Sequence, residues 1–295
     1  MPELPEVETV VRDLRPLLVG RRFTSVWAGR LALRKPWKAA WKKRLVGRRV
    51  ESIRRRGKWI VLELDDGGRL VVHLGMTGQL TVASAAEPSK AHTHLRFDLD
   101  EPARQLRFRD VRRFGSATLF PTEEEVEASF MAAGLGPEPF GLDPAYWRQR
   151  MASTSRCVKA VLLDQGVVAG VGNIYADEAL FEARLHPNLI ASALGDEAAD
   201  RLRQAVASVL NRAIERRGST IRDYVGGSGL KGAYQNEFRV YGRTGQACSR
   251  CTAVIERVRL AGRSTHFCPA CQKSASVSRD PKGSASPPRS PSGRG

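Results

Sequence analysis

The stretch Trp59-Ile60-Val61-Leu62-Glu63-Leu64-Asp65-Asp66-Gly67-Gly68-Arg69-Leu70-Val71-Val72-His73-Leu74 reads as two short strands around a tight turn. Branched and aromatic residues suit a pleated surface, and Asp-Asp-Gly-Gly supplies the polar, conformationally free residues of a hairpin turn. Further short strands are predicted at 94–99, 105–109 and 117–120. Upstream the period changes. Val7, Val10, Val11, Leu14, Leu17 and Leu18 form the apolar stripe of a helix over 4–18. Pro5 fits a first turn, Pro16 should kink or weaken the last turn, and Gly20 suits a stop. One helix followed by many strands predicts an α+β chain that opens with a β-sandwich and an attached helix.

Downstream, GLGPEPFG (134–141) is rich in Gly and Pro and marks a boundary. The signal then becomes helical, at 143–150, 154–164, 175–184 and 196–216, with the turn GVVAGVGN (166–173) between the second and third of these. The Gly-rich segment 217–235 is too long for a simple connector, and loops of that length are often functional. A small β and cysteine module follows. The tail is Ser/Pro/Gly-rich with almost no apolar content, a composition that predicts disorder. The expected units are 1–134, a linker with a short helix at 135–152, a helical unit at 153–235, a zinc module at 236–272 and a basic tail at 273–295.

Four of the five cysteines make one pattern, Cys248-x2-Cys251, sixteen intervening residues, then Cys268-x2-Cys271. This is the spacing of a four-thiolate zinc site. Disulfides are the competing reading, but the chain carries no secretory signal and a reducing compartment is expected. A closed site with four thiolate ligands is structural, so one Zn²⁺ and no catalytic metal are expected. The residues between the pairs suit two strands around Ala261-Gly262-Arg263, a hairpin with a basic tip. Cys157 is left over and reads as an inert helix residue.

The 295 residues carry 48 Lys+Arg against 31 Asp+Glu, a formal net charge of +17. No apolar run approaches the ~20 residues of a membrane span, and a hydrophobic content of 42% rules out wholesale disorder. So basic a chain is expected to meet a polyanion, nucleic acid by default, with a ribosomal protein as the bland competitor. The charge is concentrated: 21–58 holds 15 Lys/Arg and one acid, and 21–59 holds four of the five tryptophans. Basic residues interleaved with aromatics suit a nucleic-acid surface, though a solvated face over a Trp-containing core reads equally well.

The first six residues are Met1-Pro2-Glu3-Leu4-Pro5-Glu6. Removal of Met1 would expose the secondary amine of Pro2. An α-amine with a pKa of about 7.7–8.0 keeps a neutral fraction near neutrality, unlike lysine. Such an amine beside a carboxylic acid can attack an anomeric carbon and form a Schiff base. From composition alone, a charged N-terminus beside a helix start is the commoner explanation. The residues, however, resemble a family. PELPEVET, RRGKW (55–59), HLGMTG (73–78), DVRRFG (110–115), GVGNIYADEALF (170–181), GSTIRDYV (218–225), VYGR (240–243) and the four cysteines occur in the order found in formamidopyrimidine-DNA glycosylases. These are bacterial enzymes that remove oxidised purines. The resemblance covers about 270 residues, ending near Lys273.

The resemblance implies an N-terminal β-sandwich, a helix-two-turn-helix unit and a zinc-ribbon hairpin. It implies Pro2 as nucleophile, Glu3 as acid/base, and Glu6 as a supporting carboxylate. Lys58 and Arg263 would hold the phosphates flanking the lesion. A flipped-out base leaves a hole in the duplex, which Met76, Arg112 and Phe114 would fill: an adaptable apolar side chain, a hydrogen-bonding cation and a wedge. His73, Asn173 and Tyr241 match further DNA contacts, and Gly170 and Gly172 would let the backbone approach phosphate. Ser219, Thr220, Ile221, Arg222, Asp223 and Tyr224 match the loop over the extruded base. The implied partner is damaged double-stranded DNA, bound by a monomer in a bacterial cytoplasm without membrane association.

Two departures stand out. Val111 replaces a common proline, and Ser155 and Cys157 stand where relatives often carry lysine, although Lys159 still matches. The competing functions are an endonuclease VIII-type enzyme for oxidised pyrimidines and a non-enzymatic zinc-ribbon damage binder. Leu4-Pro5, Arg112 and Phe114 favour the purine enzyme, and the intact Pro2-Glu3 pair favours catalysis.

Overall fold

The computed structural model describes residues 1–101, 103–219 and 232–273. The tail expected to be disordered lies outside them.

The chain opens with α1 (Leu4–Leu18), whose Val7, Val10, Val11, Leu14 and Leu18 are buried as the periodicity requires. The helix runs through Pro16 to Leu18, because a proline so near the end removes an N–H from the last turn only. Then come β1 (Phe23–Ala28), α2 (Ala39–Leu45), β2 (Val50–Arg56), β3 (Trp59–Leu64), β4 (Arg69–His73), β5 (Gly78–Ser84), β6 (Thr93–Leu99), β7 (Arg104–Asp110) and β8 (Ser116–Phe120). The 59–74 hairpin forms as predicted, Trp59 opposite His73 and Leu62 opposite Leu70. It is the centre of the antiparallel sheet β2-β3-β4-β8; a second antiparallel sheet runs β1-β6-β7-β5. Leu14, Phe23, Ile60, Leu62, Phe97 and Phe108 fill one core with α1 against it. Burying a side chain of this kind contributes roughly 1.5–3 kcal/mol.

Several elements had no clear signal in the sequence. β1, β2 and β5 are short strands with polar or basic faces, and α2 is a one-sided helix in a basic run that buries Trp41 and Leu45. α3 (Glu123–Ala132) begins at Thr122, whose side chain accepts from the Glu125 N–H, with three glutamates in its first turn.

Past the Gly/Pro boundary lie α4 (Pro144–Ala152), α5 (Val158–Leu163), α6 (Asn173–Glu182) and α7 (Asp196–Glu215). Trp147, Tyr175, Leu180, Leu202 and Leu210 make a second core. α5 is shorter than the predicted 154–164. Cys157 is its N-cap, and the backbone there pairs with Ile190 instead of continuing a helix. β9 (Glu256–Leu260) and β10 (Arg263–Phe267) form the expected hairpin around Ala261-Gly262, with Arg263 opposite Leu260. Ala261 and Gly262 both adopt positive φ, +46° and +71°, which closes so tight a turn.

α1 bridges the two cores. Leu4 packs into the helical core, whereas Val7 onward pack into the sandwich. Glu3 and Glu6 therefore lie at the seam.

Candidate active site

The Glu3 carboxylate is buried against the start of α6. It accepts the backbone N–H of Gly172 at 2.8 Å, Ile174 at 3.0 Å and Tyr175 at 3.4 Å. It thus closes a helix N-terminus whose own N-cap, Gly172, has no side chain. A Cβ on Gly172 would stand 2.4 Å from Glu3 Cδ, and one on Gly170 would stand 2.6 Å from Leu4 Cδ1. The close approach foreseen at these glycines is made in this structure by the N-terminal segment. Asn173 caps nothing; its amide donates to the Ser264 carbonyl at 2.9 Å and ties α6 to the zinc hairpin beside Arg263.

Glu6 reaches back to the Glu3 N–H at 2.8 Å, forming a capping box on α1. Its other oxygen accepts from the Tyr175 hydroxyl at 2.5 Å, the Ser219 N–H at 2.8 Å and the Ser219 hydroxyl at 3.1 Å. Ser219 is the one member of the expected lesion loop within the described residues; Thr220, Ile221, Arg222, Asp223 and Tyr224 lie outside them. Pro2 is buried. With Met1 attached its nitrogen is a tertiary amide without nucleophilic character, while the Met1 side chain borders a cavity of about 500 Å³ shared with Arg34, His73, Met76 and Phe114.

Lys58 is buried and donates to the Val171 carbonyl at 2.9 Å. Its charge reaches Glu3, Glu6 and Arg263. Burial pushes the ammonium below the usual lysine range, partly offset by Glu3 and Glu6. Burial pushes Glu3 above the usual carboxylate range against the pull of Lys58, and it raises Glu6 against the Tyr175 hydrogen bond. Burial thus works against both charges, and the attraction between Lys58 and the two carboxyls opposes it. The turn presenting Lys58 is held by a residue the sequence reading missed. Glu138, in the interdomain linker, accepts from the Gly57 N–H at 2.6 Å, from Arg55 at 2.7 Å and from Arg56 at 3.3 Å.

Met76 and Phe114 project from the sandwich, 39% and 45% exposed, where core residues would be buried. The Arg112 guanidinium lies over the Phe114 ring, 4.7 Å from its centroid. The buried Asp110 organises this loop. It accepts from the Thr77 hydroxyl at 2.5 Å, the Gly115 N–H at 2.7 Å and the Arg112 N–H at 3.2 Å. That network fixes the loop without the proline that Val111 replaces. His73 lies behind, its ring tilted at 54° to that of Trp59 with centroids 4.8 Å apart, and its Nδ1 accepts the Gly75 N–H at 3.1 Å. Burial and the nearby Lys58, Arg34 and Lys35 push His73 down to about 4, so it is neutral at physiological pH.

Two acids inside the apolar run NIYADEALF fasten α6 to the zinc hairpin and to the segment 239–241 that leads into it. Asp177 pairs with Lys159, both fully buried, and accepts the His266 N–H at 2.9 Å with His266 Nδ1 at 3.0 Å. Lys159 is therefore a structural cation. Glu178 accepts the N–H groups of Arg239, Val240 and Tyr241 at 2.8–3.0 Å, and the Tyr241 ring packs 5.0 Å from His266. Acids in an apolar stretch are the signal that would have revealed both. The Sγ atoms of Cys248, Cys251, Cys268 and Cys271 all lie within 4.8 Å of one another. Zn–S bonds of about 2.3 Å give a tetrahedron with edges of roughly 3.8 Å, so these thiolates fit one structural zinc ion.

Three family models match the chain in order. The formamidopyrimidine-DNA glycosylase N-terminal domain matches residues 1–117, its H2TH domain 135–225, and a zinc finger found in FPG and IleRS 245–273. The formamidopyrimidine-DNA glycosylase of Desulforamulus reducens is 44% identical over 279 residues, spanning 92% of this chain and 99% of its own. That of Geobacillus kaustophilus is 43% identical, spanning 92% and 100%. Among solved structures, Lactococcus lactis Fpg with abasic-site DNA superposes with a TM-score of 0.85 at 38% identity, covering 92% of this chain and 100% of that one. MutM with carbocyclic 8-oxo-G DNA gives 0.85 and 38% over the same shares. A sandwich and a helical lobe meeting at a buried N-terminal carboxylate, with a zinc hairpin alongside, define a bifunctional DNA glycosylase and lyase. The chain belongs to the formamidopyrimidine-DNA glycosylase family. Among the described residues no helix is long and apolar enough to cross a membrane.

Proposed function

We propose that the chain excises oxidised purines, 8-oxoguanine and formamidopyrimidines, from duplex DNA and then cleaves the strand, with Pro2 as nucleophile once Met1 is removed. The observation that carries this reading is the buried Glu3 carboxyl, raised towards its protonated form, on the residue after Pro2 and within the field of Lys58. The Pro2 nitrogen forms a bond to C1′, the glycosidic electron pair leaves with the base, and the proton that Pro2 sheds goes to the departing base. Glu3 gives its proton to the ring oxygen as the sugar opens, leaving an iminium on Pro2. Loss of a C2′ proton expels the 3′ phosphate, a second elimination expels the 5′ phosphate, and water releases the enzyme.

Lys58, Arg263, His73, Asn173 and Tyr241 hold the backbone, while Met76, Arg112 and Phe114 fill the vacated stack. Glu6 links the catalytic turn to Ser219, where the lesion loop begins. The units at 1–134, 153–235 and 236–272 divide these tasks, with 135–152 as linker, and the enzyme acts as a cytoplasmic monomer. Borohydride trapping on an 8-oxoguanine·cytosine duplex tests the proposal. A covalent adduct is expected, formed more slowly after Pro2→Gly. No adduct, an adduct unaffected by that change, or faster excision of thymine glycol would overturn it.

A further inference from the structure

The loop between β1 and α2, with α2 itself, carries Arg30, Arg34, Lys35, Lys38, Lys42, Lys43 and Arg44 and not one acid. All seven are exposed, and none pairs with an acid among the described residues, whereas the flanking Arg21, Arg22 and Arg48 pair with Glu101, Asp65 and Asp66. An unneutralised strip of this length repels itself and is stabilised by a polyanion. Beside it is a cleft of about 360 Å³. Val26, Leu33 and Leu95 line its floor, Trp27 and Trp37 its walls, and Arg30 and Lys42 stand at its rim. Trp27 is 42% exposed, an unusual position for an indole, and the Arg96 guanidinium lies 4.4 Å from its ring centroid.

The strip is continuous with the surface proposed above to face DNA. The Arg34 N–H donates to the Gly115 carbonyl at 3.1 Å, joining it to the loop of Arg112 and Phe114. Arg34 borders the same cavity as His73, and the charges of Arg34 and Lys35 both reach that histidine. We propose that this face is a second nucleic-acid site, which takes an unpaired DNA strand leaving the lesion-binding surface. The strand's phosphates follow the strip from Arg34 towards Lys42, and one base stacks in the cleft against Trp27. A cationic track with an aromatic slot is how proteins hold single strands without reading their sequence, whereas a base inside a duplex is already paired and stacked between its neighbours. The proposal rests on the chain being a DNA glycosylase.

The test uses the full chain and a short blunt 8-oxoguanine·cytosine duplex, compared with the same duplex carrying an oligothymidine extension at each of its ends in turn. The readout is the ratio of the two dissociation constants for each protein variant. The wild type is expected to bind one extended duplex about tenfold more tightly than the blunt one. Trp27→Ala should abolish that ratio and Trp27→Phe should keep part of it. Arg30→Glu with Lys42→Glu should reduce the ratio and make the extension's contribution less sensitive to salt. No gain from any extension, or a gain that survives Trp27→Ala, would overturn the proposal. Failure of the wild type to bind or cut the blunt duplex would instead overturn the repair reading; binding of free oligothymidine, lost in Trp27→Ala, would then still decide this one.

Discussion

Glu3 and Gly172 are 169 residues apart in the chain, yet the Glu3 carboxylate receives the Gly172 N–H at 2.8 Å and fills the space where a Cβ would stand. Gly172→Ala would place a methyl 2.4 Å from Glu3 Cδ. The carboxyl must then leave the helix end. Displacing a reacting group by an ångström costs about 100-fold in rate. Single-turnover excision should fall by that order, while affinity for an abasic-site analogue changes much less. A wild-type rate would show that Glu3 needs no such seat.

The acid limb of stability should report His73. Its pKa lies near 4 in the folded chain against an ordinary 6.5, because of burial and neighbouring cations. A histidine depressed on folding stabilises the protein above its unfolded pKa, and that contribution is lost as pH falls from 6.5 towards 4. The shift corresponds to roughly 3 kcal/mol. Protonation would also take Nδ1 away as acceptor for Gly75. Urea unfolding of wild type and His73→Gln should therefore converge between pH 7 and 4; a gap independent of pH would contradict this.

Asp177→Asn should be costly. It leaves Lys159 buried without its counter-charge and weakens the hold on His266. Breaking a buried pair from one side costs about 3–5 kcal/mol. Adding Lys159→Met should return part of the loss, because the stranded cation is removed. The prediction fails if the double variant is less stable than the single one.

Glu138→Ala frees the Gly57 N–H and two arginines at the turn that presents Lys58. Hydrogen bonds to charged groups contribute roughly 1.5–3 kcal/mol, so excision should fall at least about tenfold. Glu138→Gln keeps one acceptor and should lie between the two. Equal rates for all three would mean that the turn holds itself.

The sequence was most legible where spacing alone carries meaning. The 3–4 period of α1, the 59–74 hairpin and the paired cysteines each fix a local geometry, and the structure has all three. It was least legible where partners are distant. Nothing near Glu138 announces Arg55, and nothing near Asp110 announces Thr77 or Gly115. Short strands with polar or basic faces, such as β1 and β2, give weak alternation and went unseen. α5 begins late because residues 156–158 find backbone partners at 189–191, a tertiary preference outside any local pattern. The roles proposed for Pro2, Glu3 and Lys58 rest on the ordered set of motifs around them, since each residue alone has a commoner explanation.

α6 meets Glu3 at one end and, along its side, the zinc hairpin through Asp177 and the segment leading into it through Glu178. Sandwich, helical lobe and hairpin are thus tied to one rod, and shifting one against another means breaking buried hydrogen bonds. When such a body meets a straight duplex, the misfit must be taken up by the DNA. Elastic bending of a site costs of order 1–6 kcal/mol and falls where stacking is already weak. Stiffness in the enzyme would turn the softness of a damaged step into a preference, before any atom of the altered base is touched.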